Sequence, residues 1–225
     1  MATARSRPLR VVVTAGPTRE PIDDVRYLSN ASTGRMGYEL AREAGRRGAR
    51  VTLVLGPCAL PRLTGVTTVD VVTTRDLLRA TRAAARDADV VIFAAAPADW
   101  RPAKRVRGKL AKDGTGRPWA LDLVENPDVA AILGRRKGRR FHLGFALEVR
   151  DGFARARAKM ARKGFDALVL NGPENVGRGG GRAWLLGAGA GSDAGPVALP
   201  TGDKAATARA ILDRVWPRFP RVPDA

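Results

Sequence analysis

Thr14–Gly37 reads TAGPTREPIDDVRYLSNASTGRMG, and its setting decides the fold. An apolar run precedes it (Leu9, Val11–Val13), and Tyr38, Leu40, Ala41 and Ala44 follow at helical spacing. A buried strand therefore feeds a long polar loop that opens into a helix. Ser32, Thr33 and Gly34 fall at the start of that helix. Unpartnered N–H groups and the positive end of the helix dipole favour an anion there. The loop also carries Asn30, Arg19, Arg26, Glu20, Asp23 and Asp24, far more polar chemistry than a connection needs.

Outward from this stretch, apolar runs alternate with helical patterns. Strands are expected at Leu9–Thr14, Arg50–Leu55, Val66–Val72, Val90–Ala96, Arg140–Leu147 and Asp166–Asn171, with an extended piece over Trp119–Val124. Helices are expected over Gly34–Arg47, Arg75–Asp87, Asn126–Leu133, Asp151–Lys163 and Asp203–Val215. This alternation predicts an α/β fold: a doubly wound, mostly parallel Rossmann-like sheet with helices on both faces. The 225 residues fit one domain. Residues 1–8 read as a basic tail, 97–117 as a long charged loop, and 172–196 as a Gly-rich irregular stretch. That last stretch is either a hairpin or a connection around the short apolar run Ala183–Leu186, before a short strand at Val197–Leu199.

Composition excludes several classes. No apolar run reaches the roughly 18 residues of a membrane span, and the start, MATARSRPLR, lacks a signal-peptide core. One cysteine, Cys58, rules out an internal disulfide and points to a reducing, cytoplasmic setting. The single histidine, His142, sits in the apolar alternation Phe141–Phe145 and reads as a structural strand residue. No zinc cluster or Ser-His-Asp set can be assembled from so few ligands. The net charge of +18 is mostly arginine, only Lys104, Lys109, Lys112, Lys137, Lys159, Lys163 and Lys204 being lysine. These charges are scattered, and the 5% aromatic content offers few platforms for bases, so nucleic-acid binding is disfavoured. A solvated basic surface around an anionic-substrate site is the preferred reading.

The second informative block is Phe93–Gly114, FAAAPADWRPAKRVRGKLAKDG. Small residues Ala94–Ala96 at a strand's C-terminal end let a flat ligand approach the backbone, where open α/β sheets bind ligands. Asp99 either accepts hydrogen bonds from such a ligand or caps a turn. Lys159 and Lys163, four apart, share one helix face. Asn126 or Asp128 caps the helix that follows them. Phe145 reads as core.

Taken with Thr14–Gly37, the blocks AAPADW (95–100), KLAK (109–112), NPDV (126–129) and LGFALE (143–148) resemble the phosphopantothenate–cysteine ligases of coenzyme A biosynthesis. These enzymes are also called phosphopantothenoylcysteine synthetases. The resemblance runs from about Val11 to about Asn171 and fades beyond it. It is to the bacterial ligase without the flavin-dependent decarboxylase often fused ahead of it, so no flavin is expected and the decarboxylase would be separately encoded.

The resemblance implies a two-step reaction. The carboxylate of 4′-phosphopantothenate attacks the α-phosphate of CTP, releasing pyrophosphate, and L-cysteine then displaces CMP to form the amide. Mg²⁺ or Mn²⁺ would accompany the triphosphate, with metal ligands unassigned, and the assembly would be a homodimer. Lys109 is implied as the lysine that stabilises charge at the attacked phosphate, on a flap over 97–117 with Lys112. Asn30 is implied to bind the acyl-nucleotide and assist its conversion. Phe93, Ala94, Ala95, Asp99, Asn126, Pro127, Asp128, Val129, Phe145, Lys159 and Lys163 are implied around the nucleotide. Ser32, Thr33 and Gly34 would hold a phosphate of either the nucleotide or the substrate. In a chain that prefers arginine, four of seven lysines fall on these positions, and a compact ammonium suits a phosphoryl group that changes geometry. Arg35 and Ala111 depart from the usual SSGKMG and KIKK patterns. Two other readings stand beside this one. One is a nucleotide-binding but degenerate relative. The other is a dinucleotide-dependent oxidoreductase, which lacks support because no compact G-x-G-x-x-G and no acid at the second strand end are present.

Overall fold

A computed structural model describes residues 6–112, 114, 116, 118–148, 152–175, 181–187, 195–200, 202–219 and 222–223. In chain order the elements are β1 (Ser6–Arg7), β2 (Arg10–Ala15), β3 (Arg19–Pro21), β4 (Tyr27–Ser29) and α1 (Arg35–Arg46). Then come β5 (Arg50–Leu55), β6 (Thr67–Asp70), α2 (Thr74–Ala84), β7 (Val90–Phe93), β8 (Trp100–Pro102) and β9 (Leu123–Glu125). They continue with α3 (Val129–Gly134), β10 (Phe141–Leu147), α4 (Gly152–Lys163), β11 (Ala167–Asn171) and β12 (Ala183–Leu186). The chain closes with β13 (Val197–Leu199), α5 (Lys204–Val215) and β14 (Val222–Pro223).

Eight strands form the central sheet in the order β13-β12-β11-β10-β7-β2-β5-β6. The stretch from β11 to β6 is parallel throughout, and β12 and β13 add an antiparallel edge. The chain thus winds one way from β2 through β5 to β6, then the other way from β7 through β10 to β11. The point of reversal lies between β2 and β7, which pair in register with Val13 opposite Ile92. Open α/β sheets form their ligand crevice at such a reversal.

Alternation along the strands loads both faces. Val11, Val13 and Ala15 pack with Leu53 and Ile92 beneath α1 and α5, against Leu40, Ala41, Ala44, Ile211 and Leu212. Val12, Val54 and Val91 face the opposite way, against Leu77 of α2, Leu133 of α3 and Ala156 of α4. Each fully buried leucine contributes about 1.5–3 kcal/mol. Helix α1 lies so close to β2 that a Cβ on Gly37 would stand 2.5 Å from Ala15 Cβ and 2.8 Å from Thr14 O. This close approach explains the second glycine of ASTGRMG.

Differences from the sequence reading cluster at the loops. The loop after β2 contains a small hairpin, β3 with β4, and the long loop after β7 contributes β8, which pairs with β9. The expected extended piece at Trp119–Val124 is narrower and later, at Leu123–Glu125. The strand expected over Val90–Ala96 ends at Phe93, because Ala94–Ala96 turn away to bond the loop after β2. Helix α3 begins at Val129 rather than Asn126. Within 172–196, a 3₁₀ turn at Pro173–Asn175 and strand β12 are ordered into the fold, and residues 176–180 and 188–194 lie outside the described residues. Of the basic tail, Ser6–Arg7 pair with Val222–Pro223, and Arg7 binds Asp89 through two contacts of 2.7 Å.

Candidate functional site

A cleft of about 790 Å³ opens at the C-terminal ends of β2, β7, β10 and β11. The structure brings Asn30, Ser32, Thr33, Gly34, Phe93, Ala94, Ala95 and Asp99 to its wall. Asn126, Pro127, Asp128, Val129, Phe145, Lys159 and Lys163 line it as well. These residues come from segments up to 133 positions apart, gathered because parallel strands all end on the same side. Lys109 and Lys112 are not among the lining residues, and both are exposed.

The floor is the 94–99 loop, and it is fixed from both sides. Thr14 Oγ1 accepts Ala95 N–H at 3.2 Å, and Gly16 O accepts Ala96 N–H at 2.9 Å. Asn30 Nδ2 donates to Ala96 O at 3.3 Å and to Pro97 O at 2.9 Å. Beneath them, Ala98 N–H donates to Thr18 Oγ1 at 2.9 Å, and Thr18 Oγ1 lies 2.9 Å from Thr74 Oγ1. The buried Glu20 carboxylate accepts Thr74 N–H at 2.8 Å, placing negative charge at the start of α2. Buried polar groups of this kind hold position because leaving one unpaired costs about 1–3 kcal/mol. Thr18, Glu20 and Thr74 were not legible as a set, since nothing in the sequence links position 20 to position 74.

On the far side, Asn126 Nδ2 donates to Ala98 O at 2.9 Å and its N–H to Asp99 O at 2.8 Å. Asn126 is thus a bridge to the floor, and Asp128 is the cap of α3, accepting Ala131 N–H at 3.0 Å. Asp128 also pairs with Lys163 at 3.0 Å. Burial, which pushes the Asp128 carboxyl up, is outweighed by the Ala131 N–H and the Lys163 ammonium, so it sits below the usual range. Lys159 makes no ion pair among the described residues. Burial, and then the Lys163 charge, push its ammonium down. Of the two lysines on this face of α4, Lys163 is neutralised and Lys159 is the one left to meet an anion.

Helix α1 starts at the cleft with Gly34 at its N-cap, a residue with no side chain to accept its first N–H groups. Gly34 precedes it with φ 74°, a left-handed conformation that a side chain disfavours. Ser32 Oγ and Thr33 Oγ1 approach the N–H groups of Gly34 and Arg35 at 3.3 and 3.5 Å, loosely enough to yield to a stronger acceptor. Arg35 lines the cleft beside them, and its Nε stands 2.7 Å from the buried carboxylate of Glu39. Phe145, read as core from the sequence, is partly buried and reaches the cleft wall. His142 is buried in the sheet, edge-on to Phe93 at 5.2 Å, and takes no part in the cleft.

The cleft continues past what the sequence indicated. Asn171, Asn175, Gly181, Asp203, Lys204 and Thr207 close its other end. Lys204 Nζ donates to Asn175 O at 3.2 Å, and burial pushes its ammonium below the ordinary lysine value. Asp203 caps α5, accepting the N–H groups of Ala205 and Ala206. No cluster of three or more His, Cys, Asp or Glu side chains suited to a metal occurs among the described residues. Asp99 lines the cleft, and a carboxylate side chain there fits a hard cation carried chiefly on phosphate oxygens. No helix among the described residues is long and apolar enough to cross a membrane.

Comparison with known proteins agrees with this fold. Residues 7–218 match the family model described as DNA/pantothenate metabolism flavoprotein C-terminal domain. The Coenzyme A biosynthesis bifunctional protein CoaBC of Vibrio vulnificus is 43% identical over 162 residues, 72% of this chain and 40% of that protein. CoaBC of Mycobacterium bovis is 41% identical over 225 residues, covering 92% of this chain and 51% of that protein. The chain therefore spans about half, or less, of the length of these relatives. The crystal structure of the C-terminal domain of CoaBC superposes with a TM-score of 0.79 at 32% identity, covering 96% of this chain and 98% of that one. The chain belongs to the DNA/pantothenate metabolism flavoprotein C-terminal domain family.

Proposed function

We propose that this chain is a phosphopantothenate–cysteine ligase that uses CTP. One observation carries the reading: Asn30, the 94–99 loop, the Asn126–Val129 segment and Lys159 converge on one cleft beside the start of α1. Such a cleft offers a flat backbone floor for a base or ribose and two positive features for phosphates, one at each side.

In this reading the nucleotide lies on Ala94–Asp99, with Asp99 and the Asn126–Val129 segment beside it and its phosphates reaching Lys159. The pantothenate carboxylate attacks the α-phosphate, the bond to the β-phosphate breaks, and pyrophosphate leaves. Lys109, exposed and outside the cleft lining here, comes over the cleft with its segment and stabilises the charge that builds on the attacked phosphate, the point at which positive groups accelerate such a step most. The amine of cysteine then adds to the acyl carbon and gives up a proton, the acyl C–O bond breaks with its electron pair leaving on CMP, and the amide remains. Asn30 holds the acyl-nucleotide, since a carboxamide can donate and accept without adding charge. Mg²⁺ or Mn²⁺, bound with the triphosphate and near Asp99, would supply charge neutralisation. No flavin enters the ligation, and the compartment is the cytoplasm. The whole chain forms a single ligase domain that acts as a homodimer. Exposed Val25, Tyr27, Trp100, Leu123 and Val124 on the two small neighbouring sheets support the last point.

The test is pyrophosphate release by the purified protein with Mg²⁺, 4′-phosphopantothenate and cysteine, comparing CTP with ATP. Release that requires phosphopantothenate and prefers CTP is the expected result. A preference for ATP would keep the reaction and replace the nucleotide. No release with either, from folded protein, would leave a nucleotide-binding protein without the ligase step.

A further inference from the structure

The N–H and C=O groups of Gly108 and Leu110, the residues on either side of Lys109, are all engaged, and by one short turn. Gly108 N–H donates to Asp24 Oδ2 at 2.8 Å, and Gly108 O accepts Asp24 N–H at 3.1 Å. Leu110 N–H donates to Asp23 Oδ2 at 3.0 Å, and Leu110 O accepts the Arg26 guanidinium at 3.0 Å. Upstream, Val106 N–H reaches Ile22 O at 2.9 Å and Arg105 pairs with Asp24 Oδ1 at 2.7 Å. Gly108 has φ 73°, so the backbone here is shaped for a residue without Cβ.

The turn is itself rigidly closed. Asp23 is buried, and its Oδ1 accepts Val25 N–H at 2.7 Å and Arg26 N–H at 2.6 Å, leaving Oδ2 for Leu110. This turn joins β3 to β4, and β3 leads from Thr18 and Glu20, the residues that support the cleft floor. Carboxylate acceptors make hydrogen bonds roughly twice as strong as neutral ones. A segment tied at both neighbours of its lysine is not a free loop.

We propose that the Asp23–Asp24 turn is the mount that positions Lys109, so that residues 105–110 and the β3–β4 hairpin move as one unit when Lys109, outside the cleft lining here, is brought to the phosphate. The inference rests on the ligase reading, in which Lys109 meets the attacked phosphate. Its physical advantage is entropic: ordering a free loop costs about 1–2 kcal/mol per residue each time ligand binds, and a pre-tied segment avoids most of that. Asp23 and Asp24 are positioning residues and touch no reacting atom.

The test uses hydrogen exchange of the segment 103–112 in the full, ligand-free chain, with pyrophosphate release as a second readout. Asp24 is exposed, so Asp24→Ala leaves the fold intact, and Asp24→Asn keeps an acceptor for Gly108 N–H. We expect slow exchange in the parent chain, at least about tenfold faster exchange in Asp24→Ala, and an intermediate value in Asp24→Asn, at unchanged global stability. We also expect kcat to fall about tenfold in Asp24→Ala with the KM for CTP changed less than twofold. Exchange in the parent as fast as in an unstructured peptide, or unaltered by Asp24→Ala, would overturn the mount. Faster exchange with unchanged kcat would overturn its positioning role. Absence of pyrophosphate release in the parent would count against the ligase reading alone, because exchange decides the mount without it.

Discussion

The cleft floor and the Lys109 segment are held by opposite means. The floor hangs from the ends of parallel strands, with Thr14, Thr18 and Asn30 bonding its backbone and the whole sheet behind it. The Lys109 segment has no sheet behind it and depends on two aspartates and an arginine in a hairpin turn. A strand-end site is stiff because moving it would break a core, whereas a segment tied to a turn can shift with that turn. In the proposed reaction, binding belongs to the stiff region and activation to the tied one.

Substitutions in the two regions should therefore fail differently. Asn30→Asp puts a negative charge where an acyl-nucleotide would lie and removes the donor to Ala96 and Pro97. We expect amide formation from that intermediate to slow by roughly 100-fold, a loss of the size seen when one transition-state donor is removed. Rapid-quench accumulation of acyl-cytidylate checks this, and undiminished turnover would take Asn30 out of the site.

Gly144→Ala probes the floor from behind. A Cβ there would overlap the ring of Phe165, which lines the cleft and packs on Phe93 at 5.6 Å. Overpacking of this kind costs about 1–3 kcal/mol, and here stability and CTP affinity should decline together. Chemical denaturation and calorimetry on the same sample would show the pairing. Affinity intact at lowered stability would mean that the floor is less coupled to the sheet than its hydrogen bonds indicate.

His142 gives the sheet beneath the floor a pH signature. Burial first, then the Lys137 charge, push it down from 6.5 to about 4, and neither ring nitrogen has a hydrogen-bond partner. Because the folded value lies below the unfolded one, the unfolded chain takes up the proton first as pH falls. Stability contributed at neutral pH is then lost between about 6.5 and 4, up to about 3 kcal/mol in all. Unfolding free energies at pH 7, 5.5 and 4, compared with His142→Phe, would isolate this loss. An unchanged difference between the two proteins across that range would rule it out. The smallest effect belongs outside both regions. The exposed Arg62–Asp70 pair, at 2.6 Å, should change stability by less than about 1 kcal/mol when Arg62→Ala removes it.

How much of this was readable from the sequence follows the same division. The parallel sheet was legible because Val11–Val13, Val51–Leu55 and Val90–Phe93 are short, nearly continuous apolar runs, and buried strands announce themselves that way. Residues at strand ends were legible as site candidates, since position in an α/β unit dictates where a strand end goes. The pairings in the two small sheets were hidden, because Arg19–Pro21, Tyr27–Ser29 and Leu123–Glu125 are three residues each and partly polar. The link from Asp23 to Leu110 was hidden for a different reason: it spans 87 positions and leaves no periodic trace. The closing end of the cleft at Asn171, Asp203 and Lys204 escaped because a Gly-rich stretch separates those residues and carries no pattern of its own.

The division between floor and segment can be measured with two lysines. CTP binding by calorimetry and acyl-cytidylate formation by rapid quench would be compared for the parent, Lys159→Ala and Lys109→Ala. The account predicts that Lys159→Ala weakens CTP binding at least about tenfold, in keeping with loss of a charge-assisted phosphate contact. It predicts that Lys109→Ala binds CTP within about twofold of the parent and forms no acyl-cytidylate. Equal loss of CTP affinity in both variants, or normal acyl-cytidylate formation by Lys109→Ala, would contradict it.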